Sequence, residues 1–225
     1  VNTYNVVAAY IKKIARIPRL PEGLLDEIMD WVALPYTANL RLIASNKKPR
    51  AYSQTFKVKQ LNYAKLNKNK ISVAILPNKG NIDAQYDERN NRIEIFMPEL
   101  LESTKDIILS KQYFDKLHYL LRLLRKDIHH ELIHFIQFNT NKSIGGKTDM
   151  YEKYQELQED YFISPIEYKT QLVNEVEEFK IGNHTKDDIT DFIAESVYFT
   201  SLKNRAPKRY QKAVRDFYSI LYRNS

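Results

Sequence analysis

The chain of 225 residues contains no cysteine, which excludes disulfides and thiolate metal sites and suits a reducing compartment or a particle assembled in one. It has no apolar run of transmembrane length and no internal repeat or low-complexity tract. No signal peptide is visible at the N-terminus as it stands, which begins at Val1. These absences lead to the expectation of a water-soluble globular protein. A further gap concerns charge. No Asp or Glu occurs between Asp30 and Asp83, while Lys47, Lys48, Arg50, Lys57, Lys59, Lys65, Lys68, Lys70 and Lys79 all fall there. A second basic stretch runs from Lys203 to Arg223 with a single acid, Asp216. The net charge is +7 and the pI about 9.3. Nothing resembles a helix-turn-helix, a finger or a base-stacking platform. The basic stretches therefore read first as a solvated, lysine-rich face, with nucleic-acid binding as the less favoured alternative. The acidic stretch from Asp149 to Glu178 would offset them if the two met.

What is present is His130-Glu131-Leu132-Ile133-His134, or H-E-x-x-H, in a chain with five histidines. Leu121, Leu124, Ile128, Leu132 and Phe135 repeat at helical spacing around it. No Pro or Gly interrupts residues 111–138, and Asn139-Thr140-Asn141 offers a stop before Gly145-Gly146. The spacing predicts one long helix with the motif in its last turns. Residues four apart share a helix face, so the imidazoles of His130 and His134 can reach one ion, and Glu131 would project beside it. Two His ligands, a carboxylate base and an open coordination position form the arrangement of zinc hydrolases. His129 has Ile133 four residues on and faces about 100° away, so it reads as a surface residue or a partner outside the ligand set.

A catalytic zinc takes three protein ligands. The motif is not followed by G-x-x-H, so the third must be a later carboxylate or His184. In Tyr161-Phe162-Ile163-Ser164-Pro165-Ile166-Glu167-Tyr168, Ser164 can cap a helix that Pro165 opens, with Glu167 in its first turn. Ile166, Leu172, Val173, Val176 and Phe179 continue it to about Lys180, before Gly182-Asn183. Glu167 is the leading candidate, Glu175 the reserve and Glu195 a weaker one. His184, in a Gly-Asn-His-Thr turn, is expected to be exposed.

The run His130-Glu131-Leu132-Ile133-His134-Phe135-Ile136-Gln137, followed by Tyr161 through Glu167, resembles the HExxH-plus-Glu metallopeptidases, the gluzincin type of zincin. It is similar in particular to small metallopeptidases of tailed bacteriophages, in which H-E-L-x-H-x-x-Q precedes a Tyr-x-x-x-Pro-x-Glu helix. The resemblance covers roughly residues 110–180. It implies Zn2+ held by His130, His134 and Glu167, with Glu131 as the general base, and a location in a phage virion or the host cytoplasm. It also implies an edge strand that binds an extended peptide. Tyr168, Lys169, Thr170 and Gln171 stand where the family pattern carries a small residue. An oxyanion needs a donor beside the metal. Tyr161 and Tyr168 flank Glu167, and Tyr161, in the less regular segment, is preferred.

The fold expected is α+β: a mainly helical zincin-like domain with a small, mostly antiparallel sheet before the H-E-x-x-H helix. A single domain over 1–225 would comprise a helical extension (1–50), a sheet region (51–110) and a helical catalytic region (111–225). Helices are expected over 6–15, 22–32 and 37–45. Residues 54–58 alternate in character, a strand is expected at 71–76, and 82–86 with 92–96 should form a β-hairpin. Two apolar stripes, from Ile189 to Phe199 and from Tyr210 to Leu221, predict C-terminal helices. The function expected is a zinc-dependent peptidase acting on a peptide or protein. The alternatives are a phage structural or interaction protein that keeps the fold without turnover, and a basic nucleic-acid-associated protein. No membrane partner is expected.

Overall fold

The computed structural model describes residues 20–59, 66–77, 83–100, 102–110, 113–140 and 167–222. The helix expected over 6–15 and the Tyr161–Ile166 segment lie outside them. Chain contacts group the protein into two compact units, residues 20–142 on one hand and residues 143–225 with 1–19 on the other. The described residues form an α+β fold of seven α-helices and a four-stranded sheet. None of these helices is long and apolar enough to cross a membrane.

The unit of residues 20–142 begins with α1 (Leu24–Ala44), a single helix where the sequence suggested two. Proline at position 35 removes a hydrogen bond at a cost of about 3 kcal/mol in a helix interior. The helix continues because its apolar stripe crosses Pro35 without a change of phase. Ile28, Val32, Tyr36 and Leu40 recur every four residues and are all buried. Each such side chain contributes roughly 1.5–3 kcal/mol when buried, so the stripe outweighs the missing bond. Asn39, on the same face, is fully buried. Its amide nitrogen donates to the Arg50 carbonyl at 2.8 Å and its oxygen accepts from the Arg50 N–H at 2.9 Å. The chain leading into the sheet is thereby tied to the helix.

The sheet contains β1 (Tyr52–Lys57), β2 (Lys70–Leu76), β3 (Ala84–Asp87) and β4 (Arg92–Phe96), in the order β1-β2-β4-β3. The β1–β2 and β3–β4 pairs are antiparallel and the β2–β4 pair is parallel. The expected hairpin is therefore β3–β4, turning through Asp87–Asn91. Asp87 accepts from the N–H groups of Arg89 and Asn90, and Asn91 takes positive φ (52°), which asparagine tolerates. Phe56, Ile71, Val73, Ile75, Ile93 and Ile95 point into the core, meeting the stripe of α1 and the buried face of α3. Short α2 (Glu102–Leu109) leads to α3 (Tyr113–Thr140), 28 residues long. Leu124, Ile128, Leu132, Phe135 and Ile136 are buried along α3, as the periodicity predicted. At its end, Asn139 Nδ2 donates to the Phe135 carbonyl and Thr140 Oγ1 to the Ile136 carbonyl, each side chain bonding back one turn to its own helix.

The second unit contains α4 (Glu167–Ile181), a 3-10 turn (Lys186–Asp188), α5 (Ile189–Glu195), α6 (Val197–Arg205) and α7 (Pro207–Leu221). Its core joins Tyr168, Leu172, Val176 and Phe179 of α4 to Ile193, Phe199, Leu202, Ala213 and Phe217. The stripe from Ile189 to Phe199 is not one helix. Ser196 has extended backbone (φ −63°, ψ 129°), and its hydroxyl accepts from the Phe199 N–H at 3.2 Å. It ends α5 and caps α6, the use of serine that competes with helix continuation.

Replacing Asn39 by Ala should destabilise the protein by about 1–3 kcal/mol in denaturant unfolding, because it strands the Arg50 backbone groups and empties a buried position. Gln54→Ala, at an exposed site, should change stability by no more than about 0.5 kcal/mol.

Candidate metal centre

His130 and His134 lie in the last turns of α3, where the helix is most deeply buried, and are 7% and 3% exposed. The one-turn spacing directs both rings to one side of the helix. Their Nε2 atoms face each other at 3.0 Å, close to the roughly 3.3 Å edge that two Zn–N bonds of about 2.0–2.1 Å subtend at a tetrahedral ion. His134 Nδ1 is 3.1 Å from Gln137 Oε1. An amide oxygen only accepts, so the proton sits on Nδ1 and the Nε2 lone pair is left to point at the shared space. A hydrogen bond of this kind orients a metal-bound histidine and raises its basicity.

Glu131 follows on the adjacent flank of α3. Its Oε1 is 4.0 Å from His130 Nε2. Its Oε2 accepts the backbone N–H of Tyr86, on β3, at 2.6 Å. The carboxylate is thus held from the side of the sheet with one oxygen toward the paired imidazoles. Tyr86 is itself fixed. Its ring packs edge-on against Phe135, with centroids 6.0 Å apart, and lies 5.9 Å from Phe138. Its hydroxyl donates to Asn91 Oδ1 at 2.8 Å and receives Asn139 Nδ2 at 3.3 Å. Burial pushes the pKa of the phenol up to about 12 against the downward pull of the Asn139 hydrogen bond, with lesser upward contributions from the Glu88 and Asp87 carboxylates. The group stays a neutral donor across the neutral pH range.

Glu167 opens α4 and is completely buried. The start of α4 is fixed within its own unit. The Tyr168 carbonyl accepts the buried Tyr198 hydroxyl at 2.9 Å, and the Tyr168 hydroxyl donates to the Arg209 carbonyl at 3.4 Å. One ligand atom each from His130, His134 and Glu167 lies within 4.8 Å of the others, and this buried group could hold a metal ion. Two imidazole nitrogens and one carboxylate oxygen are a donor set suited to zinc and, more generally, to first-row divalent ions.

Of the other residues singled out in the sequence, Glu175, Glu195 and His184 do not join this group, and Glu195 and His184 are exposed. The His184 ring stacks on Phe179, with centroids 5.2 Å apart. His129 is half-buried. Tyr161 lies outside the described residues. The Tyr168 hydroxyl is engaged with the Arg209 carbonyl, a contact within the second unit. Sequence reasoning gave no role to Gln137 or Tyr86. Gln137 was accessible to it, three residues from His134 on the same face. Tyr86 was not, since its contact with Glu131 spans 45 residues and uses a backbone group that any residue would supply.

No protein-family model, no curated protein and no solved structure matches the chain.

Elemental analysis of protein purified without chelator should find a transition metal at one ion per chain. His130→Ala and His134→Ala should each lose it. Gln137→Leu should retain the site but weaken binding by about 10- to 100-fold, the usual effect of removing a histidine's hydrogen-bond partner.

Proposed function

We propose that this protein is a zinc-dependent peptidase of the HExxH-plus-Glu type, hydrolysing peptide bonds with Glu131 as general base. One observation carries the reading. The buried group of His130, His134 and Glu167 has beside it a carboxylate that is tethered rather than ligating, with Oε1 4.0 Å from His130 Nε2. A structural ion takes a fourth protein ligand, and among the described residues the group offers three. The resemblance of the H-E-L-I-H-F-I-Q run and its following Glu helix to the zincins points the same way, and to the small phage enzymes in particular.

In this reading His130, His134 and Glu167 hold the ion, and the Gln137 amide fixes the His134 tautomer. Zinc, when bound, supplies Lewis acidity that brings the pKa of water to about 7 and polarises a carbonyl. Glu131 takes the proton from the attacking water through Oε1 and returns it to the departing amine nitrogen. The Tyr86 amide holds the other oxygen, so the base does not swing away between the two transfers. β3 is an edge strand and packs against α3, which suits an extended peptide aligned by backbone hydrogen bonds. In the β3–β4 ladder the Phe96 N–H donates to Asp83, so by alternation Ala84 and Tyr86 turn their backbone groups outward. The Tyr86 N–H is occupied by Glu131. Ala84 and the Tyr86 carbonyl are therefore the groups that would receive a substrate. Tyr161 is assigned the oxyanion donor role on the resemblance alone.

Glu131→Gln should keep the metal and lower kcat on a peptide-library substrate by at least about a hundredfold, the low end of general-base effects. Undiminished hydrolysis in this variant, or after complete metal removal, would refute the peptidase assignment. Glu167→Ala should lower metal affinity by more than Gln137→Leu does, whereas Glu175→Ala should leave it unchanged. The reverse order would move the third ligand to Glu175.

A further inference from the structure

We propose that the outer face of the β1–β2 pair, at its Lys57–Lys70 end, is a binding surface for the phosphate backbone of a nucleic acid. This inference is independent of the peptidase reading. Lys57 and Lys70 are direct cross-strand partners. The ladder runs one step further, because the Val58 N–H donates to the Asn69 carbonyl at 2.8 Å, and this register sets Lys59 opposite Lys68. Residues two apart on a strand share a face. Four lysines therefore form a two-by-two block on one side of the sheet, and all four are exposed. Val58, between Lys57 and Lys59, is buried on the other side, as are Phe56 and Ile71 beside the block, while Asn69 is exposed.

Core packing explains the alternation but not the choice of lysine. Like charges directly opposite on paired strands destabilise a sheet, and serine, threonine or glutamine would serve the fold better at these positions. No acid occurs in residues 31–82, and Lys68 Nζ donates to the Glu88 backbone carbonyl at 3.4 Å, at the turn that carries Asp87 and Glu88. Arg92, on the adjacent strand β4 opposite Ser72, is already paired with Glu94. The next row of the same face carries the Thr55 and Ser72 hydroxyls, bonded to each other at 3.0 Å, which are common phosphate partners.

The chemistry selects the occupant. A protein partner would need an aromatic or aliphatic anchor at the centre of its contact, and among the described residues this end of the face exposes lysine, asparagine and hydroxyl side chains. With no aromatic side chain on this face of β1 or β2 there is no platform for bases. The block can read repeated phosphate charge but not sequence. Cross-strand neighbours lie about 5 Å apart and same-strand neighbours about 6.6 Å apart, a spacing that can follow successive phosphates of an extended strand.

The test is fluorescence anisotropy of a labelled mixed-sequence single-stranded oligonucleotide with the full chain over a salt series. Four phosphate contacts correspond to a contribution of about −3 to the slope of log K against log salt. Lys57→Gln with Lys70→Gln should remove about half of that contribution, and the four-lysine Gln variant nearly all of it. Lys57→Arg with Lys70→Arg should keep it. Thermal melting at low salt should place the Gln variants at or above the parent, since repulsion is relieved. The proposal is overturned by failure of the parent to bind at low salt, or by an unchanged slope in the four-lysine variant. Equal binding of a glutamate homopolymer, or melting of the Gln variants below the parent, would overturn it as well.

Discussion

Two imidazole nitrogens directed at the same point, 3.0 Å apart and almost wholly removed from water, set the terms for the rest of this structure. Lone pairs in that position repel unless a proton or a cation lies between them, and burial makes the arrangement costly without one. The fold provides what that geometry needs. A helix of 28 residues carries the pair in its most buried turns, an amide fixes the proton of one ring on the far side, and a buried glutamate completes the group. On the proposed reading, the energy of metal binding returns what desolvation of these groups takes, so the holo protein should be the more stable form.

The sheet contributes through its backbone as much as its side chains. Strand β3 presents the Tyr86 amide to the carboxylate of Glu131, and the phenol of the same residue connects Asn91 at the hairpin turn with Asn139 at the end of α3. Asn91 in turn donates to the Lys70 carbonyl, and the Asn139 carbonyl accepts the Asn67 N–H. Three asparagines and one tyrosine thus lock hairpin, β2 and helix end together around the motif. Position of the Glu131 carboxylate is a property of this network, not of the five motif residues alone.

The elements were legible wherever one period dominated. The stripe of α3, the short apolar runs of β2 and β4 and the turn residues between β3 and β4 each carry a local signal that tertiary structure did not override. Two boundaries were misplaced, in opposite directions. Pro35 carries a helix-breaking signal, yet the stripe on either side of it is continuous and buried; Ser196 sits inside a continuous stripe, yet its side chain is a better cap than a helix residue. The paired histidines could be read from spacing because a helix converts sequence distance into spatial distance. The lysine block could not, since it depends on which residue of β1 stands opposite which residue of β2, a register that charge composition does not encode.

The carboxylate that caps the Tyr86 amide also bears on self-association. Strands at the rim of a sheet invite pairing with identical molecules, and proteins suppress this by occupying or charging the exposed row. Here an anion from the neighbouring helix takes one outward donor of β3, while at the opposite rim β1 ends in Lys57. One donor of the β3 margin is thereby withdrawn from pairing with an identical molecule, and loss of the Glu131 carboxylate would return it.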